Sequence, residues 1–580
     1  MRNWEVEKIL NNIALFLEMD NIQFKPRAYE KAARSIEALE EDVEDIYQRG
    51  GIKALKEIPG IGESIAEKIE ELVKTGRLTY YEKLKQNVPV DLDSLSGIES
   101  LGPKKIKVLW QELQIKNIDD LEQACLSHKV CKLPGFQEKT EQNILKGIQF
   151  AKKSKGRFIL GFTLPLIREM ENRLRDREEV ERVAVGGSVR RMKETIGDVD
   201  FLIASGKPRE VMDYFTSMPE VIELILKGET KSSVKLNIGM HADLRVVPNE
   251  SFGAALQYFT GNKDHNVALR RIAQQKNWKL SEYGLFRGSK LIAGKEEEEI
   301  YDKLRLEWIP PELRENTGEI EAARARTLPR LIGYGDLKGD LQVHSNWTDG
   351  SNSIQEMAQE AKKAGLEYIV ISDHSKSLAM TGGLDEKMLS KQGKEIDALN
   401  KQQLDGFEIL KGVELNIMED GSLDISDDTL EKLDFVGAAI HSHFNLAKNE
   451  MTRRMISAIE NPNVDIIYHP TSRQLQKRDP IELDIEKVME AAKASGTTLL
   501  DIDSYPDRLD LKDEHVRKAI EIGVKLGISS DSHTKINLHF LEFGVAQARR
   551  GWATADDIAN TRKLAYFVKL VKSPVSVAVR

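Results

Sequence analysis

The chain has 580 residues, 40% of them hydrophobic and 31% charged, which is length for about four globular domains at ~150 residues each. Two cysteines, Cys125 and Cys131, exclude a disulfide framework and a thiolate metal cluster, and no apolar run approaches the ~18 residues of a membrane span, so the expectation is a cytoplasmic protein without a membrane partner. The net charge of −9 excludes a uniformly basic nucleic-acid binder but leaves room for basic patches.

Residues 1–85 read as a helical domain, because NWEVEKILNNIALFLEM and FKPRAYEKAARSIEAL both space apolar residues near 3.6. A short pattern of apolar residue, glycine, apolar residue and small residue before a helix then recurs three times: IPGIGESIAEKI (58–69), IESLGPKKIKVL (98–109) and LPGFQEKTEQNI (133–144). In such a helix-hairpin-helix the glycines let the backbone approach a phosphate, and the next helix offers free N–H groups and a positive dipole. Gly60, Gly62, Gly102 and Gly135, with Lys104 and Lys105 opening the second helix, are the candidate DNA-backbone contacts. Ser100 and Gln137 stand where the pattern calls for glycine.

Beyond residue 155 the texture changes to strands and turns, with GGSVRR (186–191), GDVD (197–200) and HADLRVV (241–247). A Gly187–Ser188 turn with trailing Arg191 suits a polyphosphate. Asp198 and Asp200, two apart on a strand, share a face, and Asp243 joins them from a neighbouring strand. Three carboxylates on one face call for cations between them, and two divalent ions ~3.5–4 Å apart serve in-line phosphoryl displacement. A helix is expected at SFGAALQYFTG, and the Pro- and Gly-bearing stretch before 336 reads as a linker.

From 336 the pattern becomes regular. Residues 336–580 hold 31 Lys+Arg, 40 Asp+Glu and eight of the 11 histidines, whereas 1–335 hold 54 of each sign, so bound cations are expected in the second part. Seven strand-length apolar runs alternate with helical stretches, the pattern of a parallel α/β barrel. His344, Asp349, His374, Glu414, His441, His469, Asp531 and His533 fall at strand ends, which converge on one face of such a barrel. Mixed histidine and carboxylate ligands suit two or three ions of Mn²⁺, Zn²⁺ or Fe.

GGSVRR, GDVDF, ADLR and YFTGNKDHNVALR (258–270) resemble the palm and thumb signatures of DNA polymerase family X. The resemblance implies that Asp198, Asp200 and Asp243 hold two Mg²⁺ ions and that Gly187, Ser188 and Arg191 bind the triphosphate. It puts Tyr258 and Phe259 at the sugar, and Gly261, Asn266 and Arg270 at nucleotide- and template-contacting positions; Asn262 stands where the family often has Ser. AYEKAARSI and IPGIGESIAEKI resemble the family's small helical domain, in which some members remove deoxyribose phosphate through a Schiff-base lysine. Lys68 falls at that position, and Tyr29 matches a nearby tyrosine. The later strand ends resemble the PHP (polymerase and histidinol phosphatase) phosphoesterase domain, a distorted (β/α)7 barrel that bacterial family X polymerases carry at the C-terminus. The wider PHP pattern opens with His-x-His, but this chain has Gln342-Val343-His344, a weaker neutral ligand, with His443 as a candidate replacement or substrate contact.

The expectation is a multidomain α/β and α+β chain: a lyase-like helical domain (1–85), a fingers-like domain with two hairpins (86–150), palm (151–250), thumb (251–318), linker (319–335) and PHP barrel (336–580). The resemblance implies a monomeric DNA-directed DNA polymerase that fills short gaps in base excision repair, using gapped or primed DNA and deoxynucleoside triphosphates. The barrel would add a 3′–5′ exonuclease-like phosphoesterase, and Lys68 a deoxyribose-phosphate lyase. A template-independent nucleotidyltransferase and a non-catalytic DNA-end scaffold are the alternatives.

Overall fold

The computed structural model describes residues 3–22, 24–37, 39, 41–98, 101–154, 156–402 and 406–572; Ser100 of the second hairpin lies outside them. The helices from Asn3–Met19 to Glu138–Ser154 share one apolar core that includes Leu10, Ile69, Leu109 and Ile144. The boundary expected near residue 85 is therefore bridged, because helix Asn3–Met19 also contacts the second half, with Asn12 Nδ2 donating to Asp93 Oδ1 at 2.9 Å.

The palm is a five-stranded sheet in the order Arg182–Val185, Asp198–Ala204, His241–Val247, Lys231–Leu236, Val221–Lys227. Only Asp198–Ala204 and His241–Val247 run parallel. Helices Phe252–Thr260, Lys263–Gln275 and Glu297–Leu304 and a three-stranded antiparallel meander over 278–293 form the thumb. Buried Glu297 ties thumb to palm by accepting from Arg190, Arg314 and the Trp308 indole. The expected linker is only partly one. Glu319–Ala325 is a helix whose Ile320 and Ala323 enter the thumb core, and buried Glu319 meets His265 Nδ1 at 2.7 Å.

Seven strands run parallel in sequence order from Gly339–Val343 to Leu526–Ser529. A parallel bridge from Val343 to Ser532 closes them into a barrel. Its interior below the site is packed with Leu341, Tyr368, Val370, Phe435 and Tyr468, and Phe567 and Val571 of the last helix join that cluster. Barrel and palm share packed surface: Leu509 and Phe543 lie in the palm's core. Arg473 and Gln547 of the barrel both donate to Glu194 in the loop after GGSVRR.

Candidate active sites

The palm site follows from strand register. Asp198 and Asp200 project from one face of their strand, and Asp200 is the Cα partner of Asp243. Gly187 has φ +63°, and a Cβ there would lie 3.0 Å from Asp200 Oδ2, so the turn needs glycine to bring its backbone against the carboxylates. Burial, reinforced by Asp198 and Asp243, pushes the Asp200 carboxyl up to about 6. Asp243 moves the other way: burial opposes, but Lys231, with Nζ 2.8 Å from Oδ2, and Ser233 outweigh it. These residues fit divalent cations, because Asp198 and Asp243 still raise Asp200 despite Lys231, and bound positive charge would relieve that repulsion.

The thumb motif meets this turn. Gly186 packs beside Phe259, and Gly261 beside the Arg191 guanidinium. Arg191 Nε lies 2.9 Å from Glu315 Oε1, and its Nη1 donates to the Thr260 carbonyl, so its charge is already shared. Tyr258 and Phe259 sit edge to face at 5.2 Å. Asn266 is buried and internally engaged, donating to the Tyr258 carbonyl at 2.7 Å and accepting from Gln257. Asn262 caps helix Lys263–Gln275 by accepting from His265 N at 2.8 Å, a cap that the family's serine would also supply. Arg270 is half-buried on that helix.

The hairpins have the geometry their glycines suggested. Gly60 and Gly135 have φ of +81° and +82°, while Gly62 and Gly102 stand extended before their helices with no side-chain cap. Lys104 is exposed, and Lys105 Nζ lies over the Phe136 ring. On the first hairpin's helix Lys68 Nζ donates to the Ser64 carbonyl and hydroxyl at 2.9 Å and sits 5.1 Å over Tyr80. Burial lowers its pKa, and burial lifts Tyr29 to about 12.

The barrel brings all eight expected ligands together. Glu414 lies at the centre: His441 Nε2 and His469 Nε2 lie 3.1 and 3.0 Å from Oε1, and His374 Nδ1 and His344 Nε2 lie 3.1 and 3.4 Å from Oε2. His344 Nε2 also faces Asp531 Oδ1 at 3.1 Å, while His374 and His533 face Asp349 at 3.7 and 3.5 Å. Three overlapping donor sets result: His344, Asp349, His374 and His533; His374, Glu414 and His441; His344, Glu414 and Asp531. Buried His344 Nε2, His374 Nδ1, Glu414 Oε2 and Asp349 Oδ1 have no hydrogen-bond partner among the described residues, so the donors fit cations better than one another. His469 and Asp531 hold positive φ values of +30° and +51°, backbone strain of the sort kept at functional sites. Asn416 Oδ1 meets His441 Nδ1 at 2.8 Å and aims Nε2 at Glu414. Burial lowers His441 to about 4; around His533 burial opposes, but Asp349 and Asp531 raise it to about 9.

Gln342 is fully buried; its Oε1 accepts from Ser529 Oγ at 3.3 Å, and its Nε2 has no partner among the described residues. His443 is half exposed beside Glu419 and stands outside the three donor sets. Sequence reasoning missed the layer beneath. Buried Asp501 and Asp503 are pushed well above the carboxylate range by burial, and Arg508 Nε lies 3.4 Å from both Asp503 and Asp531. It also missed Asp373, which accepts from Ser345, Thr348 and Gln392 and so anchors the loop carrying Asp349. A strand-end Asp-x-Asp at 501–503 was the available signal.

Comparison with known proteins bears on the family of the chain. Residues 255–315 match the DNA polymerase beta thumb, 1–78 a helix-hairpin-helix domain, 92–149 a SAM-like helix-hairpin-helix tandem, and 340–500 the PHP domain. The chain is 38% identical over 570 residues to the DNA polymerase/3′-5′ exonuclease PolX of Bacillus subtilis, covering 97% of this chain and 98% of that one. A probable phosphatase of Thermoanaerobacter sp. is 34% identical over 242 residues, 39% of this chain and 91% of its own. A probable phosphatase of Acetivibrio thermocellus is 35% identical over 189 residues, 31% of this chain and 73% of its own. With one such relative aligned end to end, the chain belongs to the bacterial family X DNA polymerases that carry a C-terminal PHP domain.

Proposed function

We propose that the chain fills short gaps in DNA at the palm and trims 3′ ends at the barrel. The observation that carries this is the presence, on one chain, of two separate centres: Asp200 and Asp243 in strand register with Asp198 two residues away, and seven histidine and carboxylate donors in three overlapping sets with His469 beside Glu414. In synthesis the primer 3′-oxygen forms a bond to the α-phosphorus of a deoxynucleoside triphosphate, and the α–β bridging bond breaks to release pyrophosphate. Asp198, Asp200 and Asp243 would hold two Mg²⁺, and the barrel donors two or three ions of Mn²⁺ or Zn²⁺. Divalent ions supply the positive charge that phosphoryl transfer needs in its transition state. Ser188 and the Gly187 turn receive the triphosphate, and Arg191 binds it in exchange for part of its contact with Glu315. Asn266 fixes the backbone of Tyr258, so that ring and Phe259 present a set shape to the sugar. Lys68, with its amine partly buried, supports a lyase activity on DNA that carries a 5′-deoxyribose phosphate.

A one-nucleotide-gap substrate tests both centres. Asp200→Ala should abolish incorporation while Mn²⁺-dependent 3′ hydrolysis persists, and His344→Ala should do the reverse. Gap filling by Asp200→Ala at the wild-type rate would overturn the palm assignment.

A further inference from the structure

The third hairpin differs from the other two. Exposed Gln137 stands immediately before its helix, at the place Gly62 and Gly102 hold in the first and second, so a side chain projects where a phosphate would approach. That helix, Glu138–Ser154, faces the barrel. Between them lies a cleft of about 290 Å³, lined by Lys139, Asn143 and Lys146 on one side and Phe444, Lys477 and Arg478 on the other. Asp479 and Glu482 also line it, so cationic side chains outnumber carboxylates there. The Arg478 guanidinium sits 4.1 Å over the Phe444 ring, held by hydrogen bonds to the Ser472 carbonyl. Phe444 follows His441 by three residues, so at most ~10 Å separates its Cα from that of a residue of the barrel site. The helical region meets the barrel mouth at a second point, where Arg34 Nη1 donates to the Asp349 carbonyl at 3.3 Å.

We propose that the third hairpin serves the barrel rather than the palm: with the 444–446 and 477–482 segments it forms a channel for a single-stranded 3′ end of DNA. A cationic groove with an aromatic–guanidinium platform is the chemistry that binds a single strand through its backbone and base faces without reading sequence. The cleft's volume takes a nucleotide or two and no duplex. Lys139 and Lys146 hold phosphates from above, Lys477 from below, and a terminal base stacks on the Phe444–Arg478 pair, leaving the last phosphodiester at the metal-ligating face. The proposal rests on the reading of the barrel as a 3′ exonuclease, so its test separates the two.

The full chain with Mn²⁺ is assayed on a single-stranded oligonucleotide, on a blunt duplex, and on bis(4-nitrophenyl) phosphate, a diester with no base to stack and no neighbouring phosphate to reach the cleft. Lys139→Glu/Lys146→Glu, at exposed helix positions that leave the fold alone, and Phe444→Ala are compared with wild type. Each should lower kcat/KM on the single strand by about tenfold or more, the scale of losing one stacked base or two phosphate contacts, with the nitrophenyl ester within about twofold. Anisotropy in EDTA should show the same loss of single-strand affinity. Undiminished single-strand cleavage, an equal loss on the ester, or an equal loss on blunt duplex would each overturn the channel. Wild-type protein inactive on the ester as well as on DNA would instead bring down the exonuclease reading, and the channel with it.

Discussion

Asp200 and Asp243 are direct partners across the one parallel strand pair of the palm, and Lys231 Nζ stands 2.8 Å from Asp243. Two carboxylates in register, with Asp198 two residues away, cost the fold electrostatic energy that Lys231 only partly offsets. The palm is thus arranged for cations at the expense of its own stability.

That expense is measurable. Burial and its neighbours put Asp200 at about 6 in the folded chain, against 3.8 ordinarily. A carboxyl with a raised folded pKa favours folding below its unfolded pKa, and that contribution is lost as pH rises towards 6. Asp200→Asn should therefore be more stable than wild type at pH 7.5 in EDTA, by about 1–3 kcal/mol or a few degrees in Tm. The two should converge near pH 4, and Mg²⁺ should erase the difference by binding only the wild type. Identical melting curves at pH 7.5 in EDTA would show that the carboxylates do not strain the palm.

Lys68 offers a second titration. Burial lowers its amine, which donates to Ser64 and lies over Tyr80, so the neutral form needed for imine formation is reached below the ordinary lysine value of about 10.4. Borohydride should trap the wild-type chain on DNA with an incised abasic site, with yield rising as pH rises. Lys68→Ala should lose the adduct; an adduct of undiminished yield would place the nucleophile on another residue.

The first two hairpins should grip backbone and nothing else. Gly62 and Gly102 expose helix N-termini without a side-chain cap, and Lys104 is exposed beside the second. Affinity for gapped DNA should fall linearly with log salt, whatever the base sequence, and Lys104→Ala should reduce that slope by about 0.9. A slope that Lys104→Ala leaves untouched would remove that lysine from the phosphate contacts.

Much of both sites was legible because their residues are costly elsewhere. Histidines and carboxylates ending successive apolar strands, or a paired Asp-x-Asp beside a Gly-Gly-Ser turn, have no ordinary packing role, so type and spacing alone pointed to residues that the fold brings together. What stayed hidden depends on partners far along the chain. Nothing near Glu319 says that it meets His265, which turns the start of the expected linker into a thumb helix. The single core across residue 85 needs helix Asn3–Met19 to contact residues around 93. The partnering of Arg191 with Glu315 depends on the thumb closing over a loop 124 residues away in sequence. Gln342 was visible as a departure, but its environment was not.

That environment makes Gln342 the most informative position in the barrel. It is fully buried, two residues before His344 on the strand end, and its Nε2 has no partner among the described residues. A buried amide nitrogen left unpaired costs about 1–3 kcal/mol, so the side chain is not there for stability. Its oxygen is a neutral, hard donor two residues along the chain from His344, whose set with Glu414 and Asp531 is the one of the three in the barrel that lacks a second imidazole. Gln342→His would supply that nitrogen without adding charge. The variant should hold its metal longer against EDTA, carry more Zn²⁺ per chain after dialysis, and shift from Mn²⁺ towards Zn²⁺ in 3′ hydrolysis, while gap filling stays at the wild-type rate. His344→Ala, which removes a donor from two of the three sets, should move metal content the opposite way. If Gln342→His and wild type release metal at the same rate and in the same amount, the 342 side chain is not a ligand position, and the unpaired amide needs another explanation.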